Sequence, residues 1–251
     1  VQDGDVLPVS GIGHANTYGR HVYNKGADMV HTLRGMMGDT SFFAACASFQ
    51  QEYKFKDVTT EDMRQHFQLF TALSLSGFFN QWIKEAGFPH FDILYTKEVG
   101  DKYEVRIKQT PRFNEIKYTN VVAKVTAFSA DWQRHDVQVV LMNSQQSFVI
   151  NCPFEPVYWS FDFDDLISDA VTTDWAVIAD NTPITMSQGM MKKITANVSS
   201  GDSILLRVEH HWAPADGTYG APTGAVISRQ RYWTVDGIWE DDVQISSEII
   251  Y

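Results

Sequence analysis

Phe79-Asn80-Gln81-Trp82-Ile83-Lys84-Glu85-Ala86-Gly87-Phe88-Pro89-His90-Phe91 marks the place where the apolar period of the chain changes. Before it, apolar residues recur at spacings of three and four, the signature of helices that bury one face. A first helix is expected with Val22, Met29, Val30, Leu33, Met36 and Met37 on one face, ended by Gly38. Asp39 then reads as the N-cap of a second helix whose stripe is Phe42, Cys46, Phe49 and Tyr53, with Lys54 and Lys56 suiting the negative end of its dipole. A third begins at Thr59-Thr60, where Asp62 completes a loose capping box and Met63, Phe67 and Phe70 face inward. The fourth is expected from about Leu73 to Ala86, with Leu75, Phe78, Phe79, Trp82 and Ile83 inward and Gly87 followed by Pro89 as its stop.

After Phe91 the rule is alternation. In Tyr103, Val105 and Ile107, set between Lys102, Glu104, Arg106 and Lys108, side chains point to opposite faces and one face is apolar, as in a half-buried strand. Further strands are expected at Val121–Phe128, Val137–Met142, Phe148–Cys152, Tyr158–Phe163, Trp175–Ala179, Ile194–Val198, Ile204–Trp212, Val226–Val235 and Gln244–Ile250. Val99-Gly100-Asp101, Ser200-Gly201-Asp202 and Asp236-Gly237 read as turns. Short strands at such spacing argue for antiparallel sandwiches. The polar, aperiodic stretch Asp169–Asp174 reads as the boundary between two of them. The expected fold is therefore α+β: a helical block over 1–90, a β-sandwich over 91–170 and a second β unit over 171–251.

Composition bounds the function. The 251 residues hold 20 Lys+Arg against 31 Asp+Glu, a net charge of −11, and 44% are apolar. With the basic residues scattered, an acidic surface repels a phosphate backbone, so nucleic acid is not expected as a partner. No run of 18 uncharged apolar residues is present, so no membrane-spanning helix is expected. Disorder is excluded by 16 Phe, 10 Tyr and 7 Trp. Cys46 and Cys152 lie in segments of different type and read as two buried free thiols.

No complete catalytic or metal motif stands in the chain: there is no His-Glu-x-x-His, Cys-x-x-Cys, Gly-x-Ser-x-Gly or phosphate-cradling loop. Ser10-Gly11-Ile12-Gly13-His14 reads as a flexible approach. His14, His21 and His31 are not spaced to put two ligands one helical turn apart, and His210 and His211 on one strand must face opposite ways, one buried and one exposed. Asp162, Asp164 and Asp165 lack the spacing of a calcium loop and read as a solvated turn. Tyr158, Trp159, Trp212, Tyr232 and Trp233 suit the ends of a sandwich core, with a sugar platform as the alternative. Tyr18 and Tyr23 open the first helix, where a phenol can project into a neighbouring cleft or simply pack.

Val22-Tyr23-Asn24-Lys25-Gly26-Ala27, then Leu33-Arg34, Gly38-Asp39, Phe42, Thr59-Thr60-Glu61-Asp62 and Phe78-Phe79-Asn80-Gln81-Trp82-Ile83 with Gly87 and Pro89, resemble the M1 family of zinc aminopeptidases over about residues 16–90. Gln109-Thr110 resembles the start of the sandwich module that follows the helices in these enzymes, and Arg207–Trp212 with Arg231-Tyr232-Trp233 resembles a further module of bacterial relatives. The resemblance implies the end of a thermolysin-like catalytic domain. It also implies peptide substrates and zinc in the whole enzyme, with Tyr23 as the transition-state tyrosine and Tyr18 as a second tyrosine of the site. The family's zinc ligands, general base and Gly-x-Met-Glu-Asn segment precede that tyrosine. The expectation is thus a piece of a longer enzyme, with the N-terminal remainder of the catalytic domain as its partner and Val1 marking a cut. No zinc and no activity are expected of this chain alone. Export is the location implied by bacterial relatives. The alternative is a protein- or glycan-binding scaffold that keeps peptidase-like helices.

Overall fold

A computed structural model describes residues 6–187, 191–198, 202–215, 226 and 228–249. The helices come first: α1 Arg20–Met37, α2 Asp39–Glu52, α3 Thr60–Gln68 and α4 Leu75–Phe78, the last continuing as a wide π turn over Phe79–Ile83. Among the described residues twelve strands follow, in the order β1 Phe88–Val99, β2 Lys102–Arg112, β3 Val121–Phe128, β4 Arg134–Leu141, β5 Gln145–Ile150, β6 Tyr158–Phe161, β7 Val171–Ile178, β8 Ile184–Met186, β9 Met191–Ala196, β10 Ile204–His211, β11 Tyr232–Ile238 and β12 Ile245–Ile249. All pairings among these described strands are antiparallel, in four three-stranded sheets ordered β1-β2-β5, β4-β3-β6, β11-β10-β7 and β12-β9-β8. The fold is α+β, with helices leading into two small antiparallel sandwiches.

One core joins the helices to the first sandwich: Met29, Leu33, Phe42, Phe67 and Trp82 share it with Val105, Ile107, Val121, Val125 and Ile150. Ile178, Ile194, Ala196, Leu206 and Val208 form the core of the second. Phe128, Tyr158, Phe163, Leu205 and Ile238 bridge the two. β10 is the middle strand of its sheet and both its faces are covered, so Arg207, His210 and His211 are all buried. Among the described residues, no helix is long and apolar enough to cross a membrane.

Several local expectations change. The buried stripe of α1 runs through His21, Lys25, Met29, Leu33 and Met36, and Val30 points outward at 43% exposure. The reason is Lys25, whose stem lies under the helix while Nζ donates to the Leu7 carbonyl at 2.9 Å. Asp39 is the first residue of α2 and not its cap; it receives the Arg34 guanidinium at 2.7 and 3.0 Å. Thr59 does cap α3 through a reciprocal box with Asp62. The last helix begins at Leu75 and ends at Ile83, within the expected span, and Gly87 turns the chain at φ 81. β1 starts at Phe88 and keeps Pro89 in an edge strand, where a missing N–H is tolerated. Gly100-Asp101 makes the expected two-residue turn, because Val99 pairs with Lys102. Gly237 does not turn; it lies within β11 opposite Leu206. β8 was not foreseen, and the Ser200-Gly201 turn lies outside the described residues. Part of the polar stretch Asp169–Asp174 is strand β7, which begins at Val171.

Candidate active site

Position of the tyrosines is set by how α1 starts. Val9 and Ser10 donate to the Ile83 carbonyl at 2.9 and 3.1 Å, and Gly87 donates to the Val6 carbonyl at 2.7 Å. Residues 6–10 are thereby laid along the end of the helical block, and Lys25 fixes the first turns of α1 to them, with Nζ also 4.7 Å from the Phe88 ring centre. Buried residues at 21, 25 and 29 then leave Tyr23 on the opposite side of α1, 60% exposed. Tyr18, just before the helix, is 77% exposed.

Tyr23 lines an open cleft of about 710 Å³ between α1 and the segment that joins the two sandwiches. Asp28 and His31 come from α1; Asp165, Ser168 and Asp169 come from the joining segment. Tyr18 is not part of this lining, so Tyr23 alone of the two stands in it. Burial raises the Asp28 carboxyl, raises Asp165, and raises Asp169 well above the usual carboxylate range, with neighbouring carboxylates adding to the last two. Water still reaches Asp165, which sits low in a concave surface and is surrounded by protein on its other sides.

A second cleft, of about 400 Å³, shares Asp165, Asp169, Val171 and Thr173 with the first and opens where β1, β10 and β11 meet. Arg207 lies in it, 2% exposed, with Nε donating to Glu209 at 2.8 Å. His211 Nε2 lies 3.3 Å from the other Glu209 oxygen, and its Nδ1 is 2.9 Å from His90 Nε2. Burial works against a charged Glu209, but His211 and Arg207 outweigh it and bring the carboxyl down to about 2. Arg207, Glu209 and His211 alternate along β10 and so share one face, whereas His90 joins them only through tertiary packing, which no local pattern signals.

The other candidates resolve structurally. His210 and His211 do face opposite ways, but both are buried: His210 lies between Trp212 and Trp233, its ring stacked 4.4 Å from the latter. Desolvation with Arg231 nearby holds its imidazole down, to about 4. His21 is buried in α1 and His31 donates to the Asp165 carbonyl at 3.2 Å. Asp162 is buried and accepts from Ile167 N, whereas Asp164, bound by Arg134 at 2.6 Å, and Asp165 are exposed, so the expected solvated turn holds for two of the three aspartates. Tyr158 stacks on Phe128 and Trp159 packs on Tyr103, which makes them core and not a sugar platform. Cys46 and Cys152 are free and half-buried.

Among the described residues, no three His, Cys, Asp or Glu side chains converge as metal ligands. The described residues therefore do not by themselves assemble a catalytic zinc site. A phenol at a cleft rim can donate one hydrogen bond to a developing oxyanion; it generates no nucleophile.

Residues 10–82 match the peptidase family M1 domain. Among solved structures, the chain resembles Legionella pneumophila aminopeptidase A, determined in complex with aspartic acid, with a TM-score of 0.51 and 19% identity, which is a likeness of fold. The match covers 66% of this chain and 20% of that enzyme, so the chain spans about a fifth of that relative's length. No curated protein sequence matches it significantly. Over residues 10–82, then, the chain is similar to part of the peptidase family M1 domain.

Proposed function

We propose that this chain is part of a zinc-dependent aminopeptidase that hydrolyses N-terminal peptide bonds, and that Tyr23 is its transition-state tyrosine. The observation that carries the reading is the position of Tyr23 within the family match: an exposed phenol on a cleft rim, on a helix whose start is pinned by Lys25. In the whole enzyme the metal would polarise the scissile carbonyl and activate water, and it would be held by residues other than these. What this chain supplies is a neutral donor fixed by α1. Its O–H is expected to donate to the carbonyl oxygen as negative charge develops, and Tyr18 is expected to line the approach. A hydrogen bond made only in the transition state lowers the barrier without tightening substrate binding. The exposed faces of α1 and α2, with Tyr23, Val30 and Phe43, would lie against the remainder of the catalytic domain. The three units 1–90, 91–170 and 171–251 then divide the work, the helices presenting the tyrosine and the sandwiches supporting it.

Tyr23→Phe in the whole enzyme tests this. Turnover of an aminoacyl anilide is expected to fall about 10²- to 10³-fold with KM and zinc content unchanged. Turnover within a few-fold of wild type would sink the assignment. The 251-residue chain alone is expected to hydrolyse nothing and to bind no zinc.

A further inference from the structure

Residues 162–170, between β6 and β7, are gripped from several directions. Asp162 N donates to the Lys124 carbonyl of β3 at 2.9 Å, and Ala170 N donates to the Pro89 carbonyl of β1 at 2.7 Å. The Ala170 carbonyl accepts Trp212 N at 2.8 Å. From α1, Thr32 Oγ1 accepts Ser168 N at 2.8 Å and His31 donates to the Asp165 carbonyl. From β10, Arg207 donates to the carbonyls of Phe163 at 2.8 Å and Asp162 at 3.3 Å. The approach of α1 is close enough to need Gly35, where a β carbon would come within 2.9 Å of Leu166 Cβ. One short segment thus holds the helical block and both sandwiches together.

That segment is also strongly acidic, with four aspartates and no basic residue among its nine positions. Asp164 is neutralised by Arg134 and Lys124. Among the described residues, Asp162, Asp165 and Asp169 have no such ion pair; the carboxylates of Asp162 and Asp169 accept backbone amides instead, Ile167 N at 2.6 Å and Val171 N at 2.9 Å, which offset part of the cost of ionising them. Asp28 of α1 faces them from one side, and Glu209 of β10, Asp236 of β11 and Asp92 of β1 line the shared cleft on the other. Arg207 faces them as a cation with its Nε already bound to Glu209, and His31 faces them from α1 through the Asp165 carbonyl. When all three aspartates are ionised, like charges are therefore held together in a partly dry space where screening is weak.

We propose that residues 162–170 are a proton-sensitive latch: with Asp162, Asp165 and Asp169 protonated the segment clamps α1 to the two sandwiches, and with them ionised it releases. The two clefts share Asp165, Asp169, Val171 and Thr173, so release would join the Tyr23 cleft to the cleft under Arg207 and reshape the surface beside the phenol. The direction of the pH effect follows from the sign of the perturbation. Burial raises Asp162 from 3.8 to about 6 and raises Asp165 and Asp169 as well. A carboxyl that binds its proton more tightly when clamped than when free favours the clamped state at low pH, and that preference is lost as pH rises through the raised value. The latch is closed near pH 5 and loosened above pH 7.

Hydrogen–deuterium exchange of the full chain at pH 5.0 and 7.5, corrected for intrinsic rates, reads the latch at the Ser168 and Ala170 amides, which donate to α1 and β1. Their protection is expected to fall by about ten-fold or more over this interval, since one unit of elevation corresponds to a factor of ten. In Asp169→Asn, and separately in the milder Asp165→Asn, the fall is expected to shrink while protection at pH 5.0 is retained. Wild-type protection that does not change with pH overturns the proposal whether or not the variants fold. So does a fall of the same size in both variants.

Discussion

Gly237 sits inside β11 at φ 152 with the Leu205 carbonyl against it, where a β carbon would overlap the oxygen. Both the backbone angle and the contact exclude a side chain. Gly237→Ala is therefore expected to cost about 2–3 kcal/mol, seen as a lower urea midpoint with an unchanged m-value. The dipeptide Asp236-Gly237 reads as a turn because turns are the commonest use of Asp-Gly. Its real use is an approach by a strand some thirty residues away, which no local pattern contains. Gln109 is a similar case. It is 5% exposed, its Oε1 accepts Tyr118 N at 2.8 Å, and its Nε2 donates to the Tyr118 and Asn143 carbonyls at 2.8 and 3.0 Å. Gln109→Leu leaves those buried backbone groups without partners and is expected to cost about 3 kcal/mol in the same assay. Sequence marks Gln109 only through the family resemblance, whereas the packing explains why a glutamine stands there: both ends of its amide are used.

Element boundaries were legible where a local device sets them. At α3, Thr59 Oγ1 accepts Asp62 N at 3.2 Å and Asp62 accepts Thr59 N at 2.8 Å, so the start of the helix is written in four consecutive residues. Thr59→Ala is expected to cost about 1 kcal/mol and to increase amide exchange in the first turn of α3, leaving α1 and α2 unaffected. The last helix was harder. Gln68 ends α3 by folding its amide under the following loop, accepting Leu75 N at 2.9 Å and donating to the Leu73 carbonyl at 2.7 Å, which delays the next helix to Leu75. The helix then widens over Phe79–Ile83, a turn in which Phe79 and Trp82 are both buried while the Gln81 amide meets Thr119 through N–H and hydroxyl contacts of 3.0 Å. A period of 3.6 residues cannot show a local π turn. The short β8 and the proline-bearing β1 were obscure for a related reason: their alternation is too brief or too interrupted to register, and only the partner strand defines them.

For the molecule as a whole, the net charge of −11 was plain in the sequence, but its focus was not. Asp162, Asp165, Asp169, Glu209 and Asp236 come from distant positions and meet around one cleft, where they fall into two groups of opposite pH response. Glu209, held at about 2 by His211 and Arg207 in spite of burial, stabilises the fold above its ordinary value of 4.5, and that contribution is lost as pH falls from 4.5 toward 2. Asp162, raised to about 6, behaves in reverse: its contribution is complete below 3.8 and declines as pH rises to about 6, with Asp165, Asp169 and Asp236 raised in the same direction. The exposed ion pairs, such as Arg34–Asp39 and Lys56–Glu52, add little to either limb because water screens them. Where the two limbs cross, stability is expected to be greatest, near pH 4 and well below neutrality, with overall negative charge steepening the decline above it. Thermal unfolding followed by circular dichroism from pH 3 to 8 measures this directly. A midpoint that keeps rising to pH 7 contradicts it. Glu209→Gln separates the limbs, because it removes the group that titrates on the acid side: the decline between pH 4 and 3 is expected to flatten, while the decline between pH 5 and 7, which belongs to the aspartates between β6 and β7, is expected to persist.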